Sequence, residues 1–303
     1  MKQCIALTVV VLGLAVSASG QTRNDEYEIT QFAAPYPGAT GNTRDTVSVA
    51  TDSKGSILVL RRSDPPVLIY NREGVLQDSW GTGLFVDTHN IDVDPEGYVW
   101  IGDRNGQMAY KFTLDGTELM SIGTKGVVGD NSSEYLFNRP SDILVTPVGD
   151  IFIADGYNNN RIVHYSQDGK FINVIGGIPG TGSGEFYEIH GVQMDSRGRL
   201  VVLDRHVDDP RIQVWDPDGT FIEEWDGLEL TNGSGFTMDD NDTFYIGDTN
   251  GHQLLIIKDG EILQRISGLE AETHQMARDS ETGAFYLADT GAAGGMIWKV
   301  VKK

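Results

Sequence analysis

Three of the six histidines in this 303-residue sequence have spacing suited to a metal site: His89, His190 and His274. Each stands five residues before an aspartate and precedes a turn and a short apolar run. Catalytic zinc sites commonly use three protein ligands, histidine among them, and keep a fourth position for water or substrate. Residues so far apart in sequence can meet only if the fold brings them together, so the elements around them decide the question.

From about residue 46 onward, one sequence pattern is repeated six times along the chain. Regular repetition of this kind indicates a propeller or a solenoid. The third copy is the clearest and has four short apolar strands, at residues 142–145, 151–154, 161–165 and 171–175. Four such strands joined by turns rich in Gly and Asp form one propeller blade. The sixth copy ends after its third strand, so residues 27–32 are expected to supply the outermost strand and close the ring. The sequence therefore predicts an all-β, six-bladed β-propeller as a single domain over residues 21–303.

The copies can be aligned on the residue that ends their first strand: Asp52, Asp94, Thr146, Asp195, Asp239 and Asp279. Five residues earlier stand Val47, His89, Ser141, His190, Ser234 and His274. The first strand of each propeller blade lines the central channel, so these six positions are expected to form one ring. Histidines in alternate blades would then converge on the axis, which predicts a zinc site. A lone histidine is more often an ordinary hydrogen-bonded residue, and that is the interpretation of His164, His206 and His252, which share no register.

Polar residues also recur after the second strand of the blades. Five blades have an aspartate there, and the first has Arg61 instead: Asp103, Asp155, Asp204, Asp248 and Asp289. A repeated aspartate at a strand end usually accepts backbone N–H bonds in a turn, so we interpret these carboxylates as structural. Arg62, Arg104 and Arg205 occupy the next position. Because a guanidinium binds a carboxylate through two parallel hydrogen bonds, Arg62 and Arg205 are predicted to bind a substrate carboxylate, whereas Arg104 is assigned to an ion pair with a neighbouring aspartate.

The ends and the composition of the chain bear on location and partners. Lys2, an apolar run over residues 4–16 and small residues up to Gly20 have the layout of a secretory signal, so residues 1–20 are expected to be removed and the protein to be secreted or periplasmic. The only cysteine, Cys4, lies in that segment, which excludes disulfides and thiolate ligands from the mature protein. The formal charge of −21 argues against nucleic acid and membrane surfaces as partners. A monomer that binds a small-molecule or peptide substrate with a carboxylate is expected.

Three stretches resemble the lyase domain of the peptidylglycine α-amidating enzymes, the peptidyl-α-hydroxyglycine α-amidating lyase family. They are His89 with residues 94–103, residues 137–142 through 155–163, and residues 190–205. The resemblance implies an NHL-type propeller that cleaves a peptidyl-α-hydroxyglycine into an amide and glyoxylate. It implies a zinc held by the same three histidines, a catalytic Tyr157, and two arginines near the substrate, Arg62 and Arg205. The chemistry is consistent, since a cation beside the substrate hydroxyl favours its deprotonation.

Two departures limit the transfer from this family. The family's disulfides cannot form, and Gln275 stands where the family has a carboxylate associated with a structural calcium. Calcium would then depend on backbone carbonyls such as that of Ile91. No copper-dependent hydroxylating domain is expected beside the propeller, so the substrate need not be a peptide.

Two other functions compete with a zinc-dependent lyase. One is a non-catalytic NHL propeller that binds a protein or a glycan at its top face. The other is a calcium-dependent, lactonase-like propeller, which ranks last because calcium prefers oxygen ligands to three imidazoles. Metal analysis separates the first alternative from the lyase, since a propeller that only binds a partner is expected to hold no metal.

Overall fold

The computed structural model describes residues 26–33, 36, 44–205, 210–269, 272–291 and 295–303. Within these ranges the chain forms twenty-four β-strands and no helix, so it has no helix of the length and hydropathy that a membrane span requires. The predicted signal segment, residues 1–20, and His206 lie outside the described residues.

The strands form six four-stranded antiparallel sheets, each of which is one blade. Blades 1 to 3 comprise β2 (Thr46–Thr51), β3 (Ile57–Arg61), β4 (Val67–Tyr70) and β5 (Leu76–Trp80); β6 (Thr88–Val93), β7 (Val99–Asp103), β8 (Met108–Phe112) and β9 (Glu118–Gly123); and β10 (Asp142–Val145), β11 (Ile151–Asp155), β12 (Arg161–Tyr165) and β13 (Phe171–Gly176). Blades 4 to 6 comprise β14 (Ile189–Met194), β15 (Leu200–Asp204), β16 (Arg211–Trp215) and β17 (Phe221–Trp225); β18 (Gly233–Met238), β19 (Phe244–Asp248), β20 (Gln253–Lys258) and β21 (Glu261–Ser267); and β22 (Thr273–Arg278), β23 (Phe285–Asp289), β24 (Met296–Lys302) and β1 (Tyr27–Gln31). The predicted six-bladed all-β propeller is confirmed.

The turn after the innermost strand explains the repeated aspartate used for the alignment. In blade 2, the side chain of Asp94 accepts hydrogen bonds from the backbone N–H groups of Glu96 and Tyr98, at 3.0 and 2.9 Å. Gly97 then adopts a positive φ of 90°, a conformation that a residue with a Cβ rarely takes. The innermost strand ends one residue before this aspartate, so the side chain forms the turn rather than the last rung of the sheet.

Closure of the ring joins the two ends of the described chain. β1 pairs with β24 in antiparallel register, from Tyr27 opposite Lys302 to Gln31 opposite Trp298. The expectation that the N-terminal segment supplies the outermost strand of blade 6 is confirmed. Closure leaves the six blades in a complete ring, without the exposed gap between first and last blade that would invite edge-to-edge association.

The hydrophobic core is distributed between the blades. Six clusters of buried apolar side chains each combine residues of two neighbouring blades, and one of them joins blade 6 to blade 1. The second strand of every blade is buried along its whole length. Because the apolar faces are used between blades, the innermost strands can present polar side chains to the channel, where the candidate site lies.

Candidate metal centre and the surrounding pocket

The three predicted histidines meet at one mouth of the channel. His89, His190 and His274 are the second residues of β6, β14 and β22, the innermost strands of blades 2, 4 and 6. Their ring centroids are 4.8 to 5.2 Å apart, and one nitrogen from each ring lies within 4.8 Å of the others. Side chains separated by about a hundred residues are thus arranged as a set of three nitrogen donors that could hold a metal.

A β-bulge marks each of the three histidine positions. The pairing register shifts between Thr88 and Asn90, between Ile189 and Gly191, and between Thr273 and Met276, so each histidine falls within the irregular segment. A bulge breaks the alternation of side chains and turns a residue out of the sheet's regular pattern. The irregularity places each histidine outside the regular alternation of its strand, and a strand pattern read from the sequence does not reveal it.

Hydrogen bonds to the next blade fix the tautomer of all three rings. Nδ1 lies 2.7 Å from the Ser141 carbonyl oxygen in His89, 2.9 Å from that of Ser234 in His190, and 2.7 Å from that of Val47 in His274. A carbonyl oxygen can only accept, so each Nδ1 carries the proton and donates it. The lone pair is therefore on Nε2 in every ring, and it is available for a metal.

The surroundings keep the three imidazoles neutral. Burial is the main cause that lowers the pKa of His89 and of His190 well below the usual imidazole value, and the other histidines and Arg205 or Arg104 add to it. Burial also lowers the pKa of His274 to about 3. Metal binding requires the neutral ring, so no proton has to be displaced from these side chains near neutral pH.

Tyr157 places its hydroxyl against this cluster. The oxygen lies 2.7 Å from Nε2 of His89 and 3.2 Å from Nε2 of His190. Since both nitrogens are acceptors, the single hydroxyl proton is donated to one of them at a time, and the shorter contact is to His89. Gly156 makes this approach possible, because a Cβ at that position would lie 2.0 Å from the Ile189 carbonyl oxygen.

The predicted substrate arginines, Arg62 and Arg205, both lie at this mouth, but both already contact carboxylates. Arg205 pairs with Glu188 and donates from Nη1 to the hydroxyl of Ser234 at 3.1 Å. Arg62 Nε lies 2.9 Å from Asp87 in an ion pair whose direction is poor for a hydrogen bond.

The structure does not separate Arg62 from Arg104 as the sequence analysis did. Arg104 pairs with the same aspartate as Arg62, Asp87, through Nε and Nη2 at 3.0 and 2.6 Å. Burial is the main cause that lowers the pKa of the Arg62 guanidinium, and Arg104 beside it contributes. Two guanidinium groups therefore share one carboxylate, which leaves positive charge for an anionic ligand.

Sequence reasoning missed three residues of this site: Asp87, Glu188 and Arg139. Each stands two positions before a member of the channel ring: His89, His190 and Ser141, respectively. The same alignment of the six copies could therefore have found them. Arg139 contacts no carboxylate among the described residues, and its guanidinium lies 5.2 Å from the Tyr157 ring centroid. Arg104 and Arg205 lie at 5.3 and 5.7 Å from the same ring, so three cations surround Tyr157.

The repeated aspartates after the second strand are structural, as interpreted from the sequence. Asp103 accepts the backbone N–H of Asp87, and Asp204 accepts that of Glu188, both at 2.8 Å. Each aspartate thus holds the segment that enters the innermost strand of its own blade. Blade 1 reverses the arrangement, since Arg61 pairs there with Asp45. His164 is ordinary too: it stacks on Phe152 within blade 3, away from the cluster.

A cavity of about 530 Å³ opens above the histidines, a size typical of small-ligand sites. The described residues that line it are Arg44, Arg62, Arg104, Tyr157, Glu188, Arg205, Thr231, Asn232, Ser234, Thr249, Asn250, Glu272, His274 and Thr290. The wall of this cavity thus includes Tyr157, both predicted arginines and one of the three histidines.

A second cavity, of about 500 Å³, lies elsewhere along the channel wall and is acidic. Its lining includes Ile91 and Gln275, the positions relevant to a structural calcium, and two aspartates of innermost strands, Asp92 and Asp142. Burial, together with the charge of a neighbouring aspartate, raises the pKa of Asp92 to about 7 and that of Asp142 to about 8. Asp142 accepts the Val192 N–H at 2.9 Å, so it also links blade 3 to blade 4.

Because the pKa values of Asp92 and Asp142 are raised in the folded protein, we expect these two groups to lower its stability as pH rises. An unfolded aspartate titrates near about 3.9, below the folded values, so the folded chain binds more protons between about pH 4 and 8 and its free energy of unfolding falls across that range. Asp142→Asn retains an acceptor for the Val192 N–H and removes one ionisation. We expect its Tm to exceed that of the parent by about 5–10 °C more at pH 8 than at pH 5, measured by calorimetry. The exposed Asp226→Asn is the control, and the same shift at both pH values would contradict the assignment.

The fold and the histidine cluster together define the class of protein: a six-bladed propeller with a candidate metal centre at one mouth of its channel. A family model described as a 6-bladed beta-propeller matches residues 130–267. Human NHL repeat-containing protein 3 is 30% identical over 275 residues, which cover 82% of this chain and 78% of that protein. The chain belongs to the NHL-repeat family of six-bladed β-propellers.

Two further comparisons concern lyases. Peptidyl-alpha-hydroxyglycine alpha-amidating lyase 1 of Drosophila melanogaster is 35% identical over 116 residues, which cover 38% of this chain and 21% of that protein. Amidating lyases are therefore among the relatives, as the resemblance in the sequence predicted. The solved structure of a streptogramin B lyase matches with a TM-score of 0.65 at 13% identity, covering 91% of this chain and 98% of that one. Similarity at this identity supports the fold alone.

Proposed function

We propose that this protein is a zinc-dependent carbon–nitrogen lyase that cleaves an α-hydroxyglycine-type substrate into an amide and glyoxylate. The observation that carries the proposal is the convergence of three imidazoles, each with Nε2 unprotonated, two of which contact the hydroxyl of Tyr157. Three neutral nitrogen donors fit zinc, which takes histidine readily, and do not fit calcium, which takes oxygen ligands. Zinc held there would supply positive charge to stabilise negative charge developing on a substrate oxygen.

The arginines of the pocket account for substrate orientation. Asp87 and Glu188 neutralise part of the positive charge of the pocket arginines, and a substrate carboxylate beside Arg62 and Arg205 would neutralise more of it. The carbon that bears the hydroxyl and the amide nitrogen would then lie between these arginines and the histidines. Binding the carboxylate in this way leaves the hydroxyl facing Tyr157.

Tyr157 is the proposed proton carrier. Once the Nε2 lone pairs are used for coordination, its hydroxyl no longer has the imidazoles as acceptors and can bond to the substrate. Its hydroxyl gives its own proton to the departing amide nitrogen and takes the proton of the substrate hydroxyl in its place, while the C–N bond breaks and the C=O bond of glyoxylate forms. The atoms balance without water or any other reactant.

The site also bears on the two competing functions. A non-catalytic propeller that binds a partner at its top face remains the second candidate, because human NHL repeat-containing protein 3, whose match covers 82% of this chain, is named for its repeats. That function gives no reason for the tyrosine to contact two imidazoles. A calcium-dependent lactonase is not proposed, since the cluster that the described residues form offers nitrogen donors.

We further propose that the protein is exported as a monomer, on the basis of its first twenty residues and its net charge of −21.

The direct experiment is to supply a peptidyl-α-hydroxyglycine to the purified protein and to measure glyoxylate. We expect release that is abolished by a chelator and restored by zinc. Spontaneous cleavage is subtracted with a protein-free control. No release above that control from the zinc-loaded protein would remove the lyase proposal and favour the binding propeller.

Arg205→Lys is expected to weaken substrate binding more than turnover. Lysine preserves the charge and removes the planar fork that contacts Glu188 and Ser234. We expect KM for the α-hydroxyglycine to rise about tenfold, with a smaller change in kcat and unchanged metal content. Arg265→Lys, in the outer ion pair with Glu229, is the matched control. A KM equal to that of the parent would show that Arg205 does not bind the carboxylate.

A further inference from the structure

The pocket above the histidines has two chemically different halves. Blades 1 to 4 contribute arginines, Glu188 and Tyr157, and the arginines account for a carboxylate. Blades 5 and 6 contribute neutral polar groups and one acid, namely Thr231, Asn232, Ser234, Thr249, Asn250, Thr290 and Glu272. Among the described residues, none that lines this pocket is aliphatic. Small-ligand sites are usually lined mainly by apolar side chains, so this composition is informative about the ligand.

Several polar groups of the second half are already used within the protein. The hydroxyl of Ser234 accepts from Arg205 at 3.1 Å, and that of Thr249 donates to the Thr273 carbonyl oxygen at 2.5 Å. The Thr290 hydroxyl donates to the Glu272 carbonyl oxygen at 3.2 Å. Each of these hydroxyls thus has one of its bonding positions filled within the protein, which leaves it less free for a ligand than an unbonded side chain.

The side chains of Asn232, Asn250 and Glu272 remain available. None of them makes a side-chain hydrogen bond or ion pair to another described residue, although the backbone N–H of Asn232 is held by Asp248 at 2.8 Å. Asn232 and Glu272 stand two positions before the channel ring in blades 5 and 6, the position that Glu188 occupies in blade 4. Two amides and a carboxylate therefore face the cavity with free donors and acceptors.

We infer that the leaving amide of the substrate has a short hydrophilic N-acyl group with both N–H donors and a carbonyl acceptor, such as a glutaminyl residue. This inference rests on the proposed lyase function, which places the substrate carboxylate in the arginine half and the N-acyl group in the other. An apolar group there would displace water and leave buried polar groups without partners, which is unfavourable. A hydrogen-bonding group replaces that water, and a site of this kind rejects analogues that lack the bonding groups.

Two substrates of similar length test the preference. N-acetyl-glutaminyl-α-hydroxyglycine and N-acetyl-methionyl-α-hydroxyglycine differ in the amide against the thioether, and glyoxylate release reports both. We expect kcat/KM to be about tenfold or more higher for the glutaminyl substrate. An equal value, or a preference for methionyl, would overturn the inference and leave the lyase function standing.

Asn232→Leu and Asn250→Leu test the residues that carry the preference. Leucine keeps the backbone bonds of Asn232 and makes that wall apolar, so the ratio of the two kcat/KM values should fall at least threefold in either variant, while metal content stays that of the parent. A ratio unchanged in both variants would contradict the assignment of the wall.

A binding measurement separates this inference from the lyase proposal. Calorimetry with the product amides, N-acetyl-glutaminamide and N-acetyl-methioninamide, reports the pocket without any turnover. Tighter binding of the glutaminyl product to the parent protein, lost in Asn232→Leu, supports the hydrophilic pocket even if no glyoxylate is released. Tighter binding of the methionyl product overturns it.

Discussion

Alanine in place of His89, His190 or His274 is expected to reduce bound metal from about one ion per chain to less than a tenth of that. Each substitution removes one of three nitrogen donors and leaves two, too few to complete a zinc site of this kind. Glyoxylate release should fall in parallel. The measurement is elemental analysis by mass spectrometry after dialysis of purified protein against metal-free buffer.

His252→Asn provides the control for these variants. His252 is an exposed histidine outside the cluster, and its positive φ of 49° is one that asparagine tolerates. Its metal content should equal that of the parent. If the three cluster variants retain as much zinc as this control, the histidines are not the metal ligands and the proposed function loses its basis.

Tyr157→Phe is expected to lower turnover of an α-hydroxyglycine by a factor of about 10² or more. The change removes one hydroxyl and retains the ring that packs beside Arg104, Arg139 and Arg205, so the site should keep its shape. A factor of this size is typical for loss of a positioned acid–base group. Steady-state kinetics with zinc-loaded protein give the value, and elemental analysis should show unchanged metal.

A purely structural tyrosine would behave differently. In that case Tyr157→Phe should cost about 1 kcal/mol of stability and leave the rate unchanged. Tyr135→Phe is expected to show this outcome, because among the described residues its hydroxyl has one hydrogen bond, accepted from the backbone N–H of Phe171 at 3.0 Å. Full activity in Tyr157→Phe would remove the tyrosine from the reaction.

The repeat made the fold and the histidine cluster predictable from sequence. Strand periodicity sets the blade, and the constant offset to a turn aspartate sets the level of a residue in the channel, so a position shared by alternate blades becomes a ring in space. Closure by Tyr27–Gln31 followed from the missing strand of the last copy. These conclusions depend on local pattern and symmetry, which a single sequence contains.

What the sequence could not provide was contact between side chains of different blades. It assigned Arg62 and Arg104 to different roles, whereas both contact Asp87. It did not predict the pKa shifts of Asp92 and Asp142, because burial inside the channel depends on the packing of all six blades. It also did not reveal the bulges, since a strand with an extra residue has almost the same composition as one without it.

The bonds from the histidines to the next blade involve all six blades. His89 joins blade 2 to blade 3, His190 joins blade 4 to blade 5, and His274 joins blade 6 to blade 1. Every blade therefore takes part in one such bond, either through an imidazole or through a carbonyl. A metal ion on the axis would be held by three histidines, each of which is bonded to a second blade. Its binding free energy would therefore add to the stability of the closed ring as a whole rather than to any single sheet.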